Sequence, residues 1–439
     1  MKVDIKETTL VCPVQDDTPG GSLWLSEIDL FYPNMHNKIV LFFKATADTN
    51  YPSRDEMTRI LKQSLGKVLI SFYPVAGRLG KDEKGRVQIE CNAEGATFAV
   101  AEADCTLDEM LDTGGSDPSS KFKLLIDPVD YSIDTSSFPL LLSKVTYFEC
   151  GGMCLGVAMH QRLADGVSIA HFVKSWADTA RGQSIDDPIH DRRLISDRAL
   201  PSIKFDHPEF DPNAMFGHRK PNQTPVDIST VYLKISVEQM NALKDKANAN
   251  ANRKNYSLYQ SLSAHLWRCA CEARGLSDDQ KTVFVFPVNI RPRLRPPLPR
   301  ELFSNAIYIT LASAANSGEI VKEPLSFTAG RIRKAIKEID DEYVRSGITY
   351  LREKQVADGV SVRSAYQNPN IGFVSWTHMP ILMADFGWGL PILWGPASIR
   401  SEGLAYLLPV SSREEDGLAL YMCLETQHIE LFKKLFYEI

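Results

Sequence analysis

The sequence predicts an α/β (α+β) fold of two similar-sized lobes, because strand and helix patterns mix in both halves of its 439 residues. In the first half, a helical pattern over 51–69 starts at a Ser53–Glu56 capping box, and a strand, turn and strand follow over 77–92. In the second half, strand patterns alternate with amphipathic helices. This length is sufficient for two domains.

The remaining elements follow from the same periodicities. Residues 139–160 read as two strands joined near Gly151 and Gly152, and a helix over 165–182 follows. The second half predicts strands over 227–236, 281–290, 306–314, 370–379, 390–396, 403–411 and 417–425, and helices over 236–248, 257–276, 327–351 and 428–439.

A change in composition separates the two halves. Residues 184–225 are rich in proline, aspartate and arginine and lack sustained periodicity, which predicts a crossover linker. We therefore expect one domain over 1–183 and another over 226–439, with a ligand site at the interface of the lobes.

Composition excludes several classes of protein. The formal net charge of −6 argues against nucleic acid as the main partner. The N-terminus lacks the apolar core of a signal peptide, and the apolar stretch 379–396 is broken by Asp385, glycines and prolines. Eight cysteines without zinc-finger spacing are typical of reduced, mostly buried thiols. We expect a cytoplasmic protein without a membrane span or a metal site.

Three short stretches could carry chemistry. His160 ends a strand just before the Asp165–Gly166 turn, where an imidazole could act as a general base or simply pack as a core or surface residue. Gly387 and Gly389 flank Trp388, which is typical of a tight structural turn. The third stretch, 288–299, carries three alternating arginines that could form ion pairs or meet phosphates: Arg291, Arg293 and Arg295.

Together these stretches identify a family. The chain resembles the BAHD acyl-CoA-dependent acyltransferases over essentially its whole length, on "HQRLADG" at 160–166 and "DFGWG" at 385–389. "SFYPVAGRL" at 71–79, the helix at 257–276 and "NIRPRLRPPLP" support the match. The opening thirty residues, "CNAEGATF" and "VTYFECGG", resemble the hydroxycinnamoyl-CoA:shikimate/quinate hydroxycinnamoyltransferases.

The resemblance implies two chloramphenicol-acetyltransferase-like domains with a tunnel between them, in a monomer. The motif histidine deprotonates the acceptor, which attacks a thioester of the p-coumaroyl-CoA type, and no metal, acyl-enzyme or further cofactor takes part. The indole of Trp376 is a candidate oxyanion donor. Asp165 turns from the substrate and pairs with Arg291 or Arg293, and Asp385 has a structural role near the site.

The same resemblance implies further site residues. The acceptor contacts are His36, Arg363, Val374 and Ser375; the CoA contacts are Ser257, Tyr259 and Asn289; the structural residues include Gly166, Gly387, Trp388 and Gly389.

The sequence departs from the family at the base itself. Family members place the histidine four residues before the motif aspartate, and that position here is Gln161. A glutamine amide takes no proton at neutral pH, and a lost general base typically costs about 10²–10⁴ in rate. The site is then impaired, or His160 replaces the base, or the chain is a non-catalytic relative that binds CoA thioesters. Adjacent strand residues point to opposite sides, which counts against His160.

A second departure concerns the acceptor. Members that use shikimate have a threonine where this chain has Val374, and the position of their carboxylate-binding arginine is Ser361, two residues from Arg363. A short gap would bring Arg363 into register. The leading hypothesis is transfer to a hydroxyl of shikimate or quinate, and the alternative is N-acylation of an aliphatic amine such as a polyamine.

Overall fold

The computed structural model describes residues 1–14, 18–45, 51–112, 118–196, 201–211, 226–249, 255–354, 365–399, 401–410 and 417–439. Strands and helices mix along the chain, as the sequence predicts, and divide between two compact units. The first unit comprises 1–199, 298–306 and 378–398, and the second comprises 200–297, 307–377 and 399–439.

The strands of the first unit are β1 (Val3–Val11), β2 (Ser22–Trp24), β3 (His36–Phe43), β4 (Arg78–Lys81), β5 (Val87–Glu90), β6 (Ala96–Ala103), β7 (Leu141–Tyr147), β8 (Met153–His160) and β13 (Leu393–Pro396). They form a six-stranded sheet in the order β1-β6-β7-β8-β3-β13 and a three-stranded sheet in the order β2-β5-β4. The helices are α1 (Glu27–Phe31), α2 (Arg54–Ser71), α3 (Leu107–Leu111), α4 (Ser119–Phe122), α5 (Gly166–Ala180) and α6 (Arg193–Ser196).

The strands of the second unit are β9 (Ile228–Ile235), β10 (Lys281–Asn289), β11 (Ile307–Asn316), β12 (Ile371–Ser375), β14 (Leu404–Pro409) and β15 (Leu418–Glu425). They form one sheet in the order β11-β10-β12-β14-β15-β9. The helices are α7 (Val237–Asn248), α8 (Leu258–Ala273), α9 (Ser317–Lys322), α10 (Leu325–Glu338), α11 (Asp341–Glu353) and α12 (Ile429–Tyr437).

The chain divides differently from the expected domains 1–183 and 226–439. The segments 298–306 and 378–398 return from the second half of the sequence to the first unit. The physical reason for the second return is strand pairing, because β13 joins the first sheet antiparallel to β3. The DFGWG stretch therefore belongs to the first unit, although it falls within the expected C-terminal domain over 226–439.

The prediction of one continuous helix over 327–351 is wrong. It is two helices, α10 and α11, because the Asp340 side chain accepts a hydrogen bond from the backbone N–H of Tyr343 and caps a new helix. The predicted strand pair over 139–160 and helix after it are confirmed as β7, β8 and α5. Residue Gly151, with φ of +82°, turns the chain between β7 and β8.

Three further findings concern the cysteines, the apolar character of the helices and the clusters of metal-binding side chains. All eight cysteines are free thiols. In the ranges that the structure describes, no helix has the length and apolar character needed to cross a bilayer. The same ranges contain no group of three or more histidine, cysteine, aspartate or glutamate side chains suited to a metal ion.

Candidate functional site

The motif loop leaves the end of β8, a central strand of the first sheet. All eight residues of β8 are buried, which fits a strand paired on both sides, by β7 and β3. A side chain at Gly156 would bring its Cβ to 2.2 Å from the carbonyl oxygen of Leu125, so close packing requires glycine there. The strand is thereby fixed in place up to the first residue of the motif.

His160 is turned into the protein. Its side chain is fully buried, its Nε2 lies 3.0 Å from Asn34 Oδ1, and its Nδ1 accepts a hydrogen bond from the backbone N–H of Arg162 at 3.2 Å. These partners select the neutral tautomer with the proton on Nε2. Burial lowers the pKa of His160 well below its usual value. Both ring nitrogens are engaged, so the ring has no lone pair left for an acceptor's proton.

Gln161 has a different environment. It is half-buried, and its side-chain Nε2 donates to Asn37 Oδ1 at 2.7 Å. Its backbone N–H donates to the carbonyl of Met35 at 2.8 Å, and its backbone carbonyl accepts from Asn305 Nδ2 at 2.8 Å. The two neighbours in the motif therefore differ as strand alternation predicts: one is in the core and the other is partly accessible.

Asp165 has a structural environment. It is the N-cap of α5, where its Oδ1 accepts from the backbone N–H of Ser168 at 2.8 Å, and its Oδ2 accepts from the backbone N–H of Ala306 at 2.8 Å. The carboxylate is buried and holds the start of α5 against the segment 298–306. Gly166 is the first residue of α5.

The arginine expected to pair with Asp165 lies in the second unit. There the guanidinium of Arg293 donates to the carbonyls of Ile336 and Ile339 at 2.7 and 2.8 Å, where α10 ends. Arg291 is buried. Arg293 thus has a role within its own unit, and the pairing of Asp165 with Arg291 or Arg293 stays a prediction.

A buried ion pair supports the motif loop from behind. Asp29 and Arg192 have fully buried side chains, with Asp29 Oδ2 and Arg192 Nε 3.2 Å apart. Asp29 Oδ1 accepts from the backbone N–H and from Nδ2 of Asn305, at 3.0 and 2.9 Å. Arg192 Nη2 donates to the carbonyl of Leu163 at 2.7 Å. Asn305 and Arg192 thus bind two carbonyls of the loop and fix its path.

The DFGWG turn is held by its own aspartate. Asp385 Oδ1 accepts from the backbone N–H groups of Gly387 and Gly389 at 2.8 and 3.0 Å, and both glycines have positive φ, of +112° and +105°. Asp385 Oδ2 lies 3.9 Å from the guanidinium of Arg181, which follows the last turn of α5. The contacts of Asp385 are therefore structural.

Two aromatic rings anchor this turn. Phe386 and Trp388 stack with centroids 5.7 Å apart, and Phe386 meets Trp176 of α5 edge to face at 5.4 Å. Trp388 also contacts Phe43 of β3. Helix α5 is therefore fixed at both ends, by Asp165 at its start and by the DFGWG turn near its end.

In the second unit, the VSW segment lies at the carboxyl end of β12. This strand runs parallel to both of its neighbours, β10 and β14. Val374, Ser375 and Trp376 are half-buried; the Trp376 backbone N–H donates to the carbonyl of Leu407, and its ring meets Tyr406 edge to face at 4.7 Å. Ser375 Oγ lies 3.0 Å from Thr377 Oγ1. The carboxyl ends of parallel strands are common ligand sites.

The residues expected to contact CoA have local roles in the same unit. Ser257 is exposed and caps α8, where its side chain accepts from the backbone N–H of Gln260. Asn289 is exposed and its Oδ1 accepts from the backbone N–H of Arg291. Tyr259 stacks on Phe373 at 5.3 Å. Contact of these three residues with CoA stays a prediction.

Comparison with known proteins decides the family. The profile of the Transferase family matches residues 1–439. The chain belongs to the BAHD transferase family. BAHD proteins are acyl-CoA-dependent acyltransferases, and the match spans every element described above.

BAHD relatives cover the whole chain and are covered by it in full. A hydroxycinnamoyltransferase of Narcissus pseudonarcissus is 43% identical over 451 residues, and the shikimate O-hydroxycinnamoyltransferase of Nicotiana tabacum is 39% identical over 446. A hydroxycinnamoyl-CoA:5-hydroxyanthranilate N-hydroxycinnamoyltransferase of Avena sativa is 36% identical over 456 residues.

Solved structures share the BAHD fold. Vinorine synthase superposes with a TM-score of 0.75 at 22% identity, covering 98% of this chain and 96% of its own. F. graminearum TRI101 in complex with coenzyme A and T-2 mycotoxin gives 0.78 at 19% identity, covering 94% and 97%. At these identities the likeness is one of fold, and it confirms the predicted α/β class with a two-domain layout.

In this BAHD chain, the structure describes His36, one of the residues expected to contact the acceptor, but does not describe Arg363, another of them. His36 is buried: its Nδ1 lies 2.9 Å from the Tyr131 hydroxyl and its Nε2 lies 2.9 Å from the carbonyl of Pro139, so the protein already engages both nitrogens. Its neighbour Asn37 meets Gln161 instead. Arg363 and the alternative Ser361 fall outside the described residues.

One histidine cluster has the connectivity of a hydrolase triad without being a reactive site. In the second unit, His207 Nε2 lies 2.9 Å from Ser346 Oγ and its Nδ1 lies 3.0 Å from Glu209 Oε1. All three residues are buried, and Ser346 Oγ also accepts from the backbone N–H of Lys204 at 2.9 Å. The cluster holds the segment 204–210 against α11 and gives a substrate no access.

Sequence reasoning missed Asn34, Asn37, Asp29, Arg192 and Asn305. A local signal existed for Asp29, because Ser26 and Asp29 form a capping box at the start of α1. The asparagines carried no such signal, since each acts across more than a hundred residues of sequence.

Proposed function

We propose that this chain transfers a hydroxycinnamoyl group from coenzyme A to a small-molecule acceptor, which attacks the thioester carbonyl directly. The observation that carries the proposal is the motif loop: residue 161 is partly accessible at the end of β8, while Asp165 is buried in backbone contacts. This is the division of roles that the family motif requires. Full-length relatives named as hydroxycinnamoyltransferases support the acyl group.

Each site residue has a proposed role. Residue 161 faces the acceptor, Val374 and Ser375 border it, and Trp376 stabilises the oxyanion through its indole N–H. Ser257, Tyr259 and Asn289 bind CoA. Asp165, Gly166, Arg291, Arg293 and the DFGWG turn maintain the scaffold. We propose acyl-CoA as the co-substrate without a further cofactor, in a cytosolic monomer.

The first proposed acceptor is a hydroxyl of shikimate or quinate, supported by the name of the tobacco relative. Because Gln161 cannot take the hydroxyl proton, we expect this transfer to be slow, by about 10²–10⁴ relative to a histidine-bearing site. His160 does not compensate, since both of its nitrogens are engaged.

The experiment incubates the purified chain and a Gln161→His variant with p-coumaroyl-CoA and either shikimate or quinate. Free CoA thiol and ester product are measured together. Ester formation by the variant supports the proposal. The same assay is run with an aliphatic polyamine, for which the product is an amide. Absence of ester and amide product from both proteins with all three acceptors rejects the proposal.

An aliphatic amine such as a polyamine is the second candidate. It is favoured by Gln161 itself, because the uncharged form of an amine does not need deprotonation before it attacks. The oat relative is named for transfer to nitrogen. The same panel separates the two, since an amide product resists mild alkaline hydrolysis and an ester does not.

A third candidate of another class is a non-catalytic protein that binds CoA thioesters. It is motivated by the same residue, Gln161. Calorimetry with p-coumaroyl-CoA distinguishes it: binding without turnover, unchanged by Gln161→His, selects this candidate over both transferases.

A further inference from the structure

We infer that the hydroxyl of Tyr406 is a specificity-determining group, which forms a hydrogen bond with the acceptor beside Val374. The inference rests on the proposed acyl transfer, in which Val374 borders the acceptor, and adds a recognition residue to that site. Tyr406 belongs to β14, the strand next to β12 in the second unit.

The register of the sheet places Tyr406 next to Val374. Strands β12 and β14 are parallel, and Val374 pairs with Tyr406. Paired residues on adjacent strands lie on the same face of a sheet, and the strands are about 4.8 Å apart. Trp376 lies two residues beyond Val374 and therefore on the same face, and its ring meets the Tyr406 ring edge to face at 4.7 Å. Val374, Trp376 and Tyr406 thus form one continuous surface at the carboxyl end of β12.

This surface is on the side of the sheet opposite helix α8. Phe373 precedes Val374 in β12, and its ring stacks on Tyr259 of α8 with centroids 5.3 Å apart. Because successive strand residues point to opposite faces, Val374 and Tyr406 are turned away from α8. Both side chains are half-buried, so neither is sealed inside the core.

The Tyr406 hydroxyl is available to a ligand. It has no hydrogen-bond partner within the ranges that the structure describes, whereas polar groups removed from water are normally paired. Burial raises the pKa of Tyr406 to about 12, so the phenol keeps its proton at neutral pH. A protonated phenol can both donate and accept a hydrogen bond. Val374 has no polar side-chain atom, so Tyr406 supplies the polar contact at this point of the surface.

Two neighbouring side chains with hydroxyls are less suited to this role. Ser375 Oγ lies 3.0 Å from Thr377 Oγ1, so these two hydroxyls already bind each other. Tyr421 pairs with Tyr406 across β14 and β15, and therefore lies one strand further from Val374. Tyr406 is thus the tyrosine adjacent to Val374 in this row of the sheet.

The test compares the full chain carrying Gln161→His with the double variant Gln161→His/Tyr406→Phe, because the second substitution removes only the hydroxyl. p-Coumaroyl-CoA is the donor, and the acceptor is whichever of shikimate, quinate and an aliphatic polyamine Gln161→His acylates fastest. We expect Tyr406→Phe to raise the KM for the acceptor about tenfold, through the loss of one hydrogen bond. The KM for p-coumaroyl-CoA and kcat should stay the same, since the contact is made both before and during attack. An unchanged KM for the acceptor overturns the inference.

Tyr421→Phe in the same Gln161→His background is the matched control. It removes an identical hydroxyl from the same row of the sheet, one strand further from Val374. The KM for the acceptor and the KM for p-coumaroyl-CoA should both remain unchanged. An equal rise of the acceptor KM in Tyr421→Phe and Tyr406→Phe contradicts the inference, because the effect is then not specific to position 406.

The substitution Val374→Thr provides a second readout. Threonine has nearly the shape of valine and adds a hydroxyl on the same face, in register with residue 406. Added to Gln161→His/Tyr406→Phe, it should lower the KM for the acceptor again, because it returns a hydroxyl to this surface. A purely structural role of Tyr406 would not respond to Val374→Thr, so an acceptor KM that does not fall contradicts the inference.

Failure of the inference is separable from failure of the proposed function. If Gln161→His acylates an acceptor and Tyr406→Phe leaves the KM for that acceptor unchanged, Tyr406 does not contact the acceptor and the acyl transfer stands. If neither the unsubstituted chain nor Gln161→His acylates any of the three acceptors, the proposed function itself fails.

Discussion

The side-chain amide of Gln161 donates a hydrogen bond to the side-chain oxygen of Asn37, 2.7 Å away, where β8 ends beside β3. The two amides are uncharged at every accessible pH. The family position for a general base is therefore occupied by a group that can orient an acceptor and cannot ionise.

The first prediction concerns that position. Gln161→His should raise kcat/KM for p-coumaroyl transfer to shikimate by about 10²–10⁴, because an imidazole can take the hydroxyl proton. The gain should fall away below a pH of about 6.5, where an unperturbed imidazole becomes protonated. Steady-state kinetics between pH 5.5 and 8 measure both effects. Gln161→Asn is the matched control, since it shortens the amide without adding a base, and a comparable gain from it contradicts the prediction.

The second prediction separates the two motif neighbours. In the Gln161→His background, His160→Asn should leave the shape of the pH–rate profile unchanged, because His160 contacts Asn34 and Arg162 rather than an acceptor. The substitution should lower the free energy of unfolding by about 1–3 kcal/mol through the buried groups it leaves unpaired. Loss of the profile with stability retained indicates instead that His160 moves the proton.

The third prediction concerns the buried pair Asp29–Arg192. Asp29→Asn should lower the free energy of unfolding of the first unit by about 3–5 kcal/mol, because Arg192 is left as a buried charge without its counter-ion. Urea unfolding measures the change. The exposed pair Arg59–Glu56 is the control, and Glu56→Gln should produce no measurable change. Equal effects of the two substitutions contradict the prediction.

The fourth prediction concerns acid stability. Burial lowers the pKa of His36 and of His190 to about 4, and that of His160 well below its usual value. Between about pH 4 and 6.5 the unfolded chain binds more protons than the folded one. The free energy of unfolding should therefore fall as pH decreases through that window, by up to about 1.4 kcal/mol per pH unit for each histidine. Above pH 6.5 these groups contribute no slope.

Urea unfolding at pH 7.5, 6.0 and 5.0 measures this effect above the range in which most carboxylates titrate. The His36→Leu variant serves as the control. It should be less stable at pH 7.5, because Tyr131 and Pro139 lose their partner, and its stability should depend less steeply on pH. A wild-type free energy of unfolding that stays constant from pH 6.0 to 5.0 contradicts the assignment.

Elements with strong periodicity were predictable from the sequence. Helix α5 buries Ala170, Phe172, Val173 and Trp176, as its pattern indicates, whereas Val167 is only half-buried. Strand β1 was not predicted, since it is an edge strand with mostly exposed side chains, and its sequence therefore carries little apolar alternation. The return of β13 to the first sheet depends on pairing with β3, which local pattern does not encode.

The candidate site was also predictable only in part. Strand alternation predicted that His160 and Gln161 would point to opposite sides, and in the structure His160 is in the core whereas Gln161 is half-buried. Their partners Asn34 and Asn37 lie 126 and 124 residues earlier in the chain. Tertiary contacts at such separations leave no signal in residue spacing. The partners that keep the His160 ring neutral are therefore evident only in the folded structure.

The hydrogen bonds that fix the path of residue 161 belong to its main chain. Its N–H binds the Met35 carbonyl and its C=O binds the Asn305 amide, and neither contact involves the side chain. These two main-chain contacts are therefore available to either glutamine or histidine at position 161. Because glutamine and histidine codons differ only in the third base, a single point mutation can interconvert the two chemistries without rebuilding the protein. Over generations, the acceptor range of such a gene can drift in either direction.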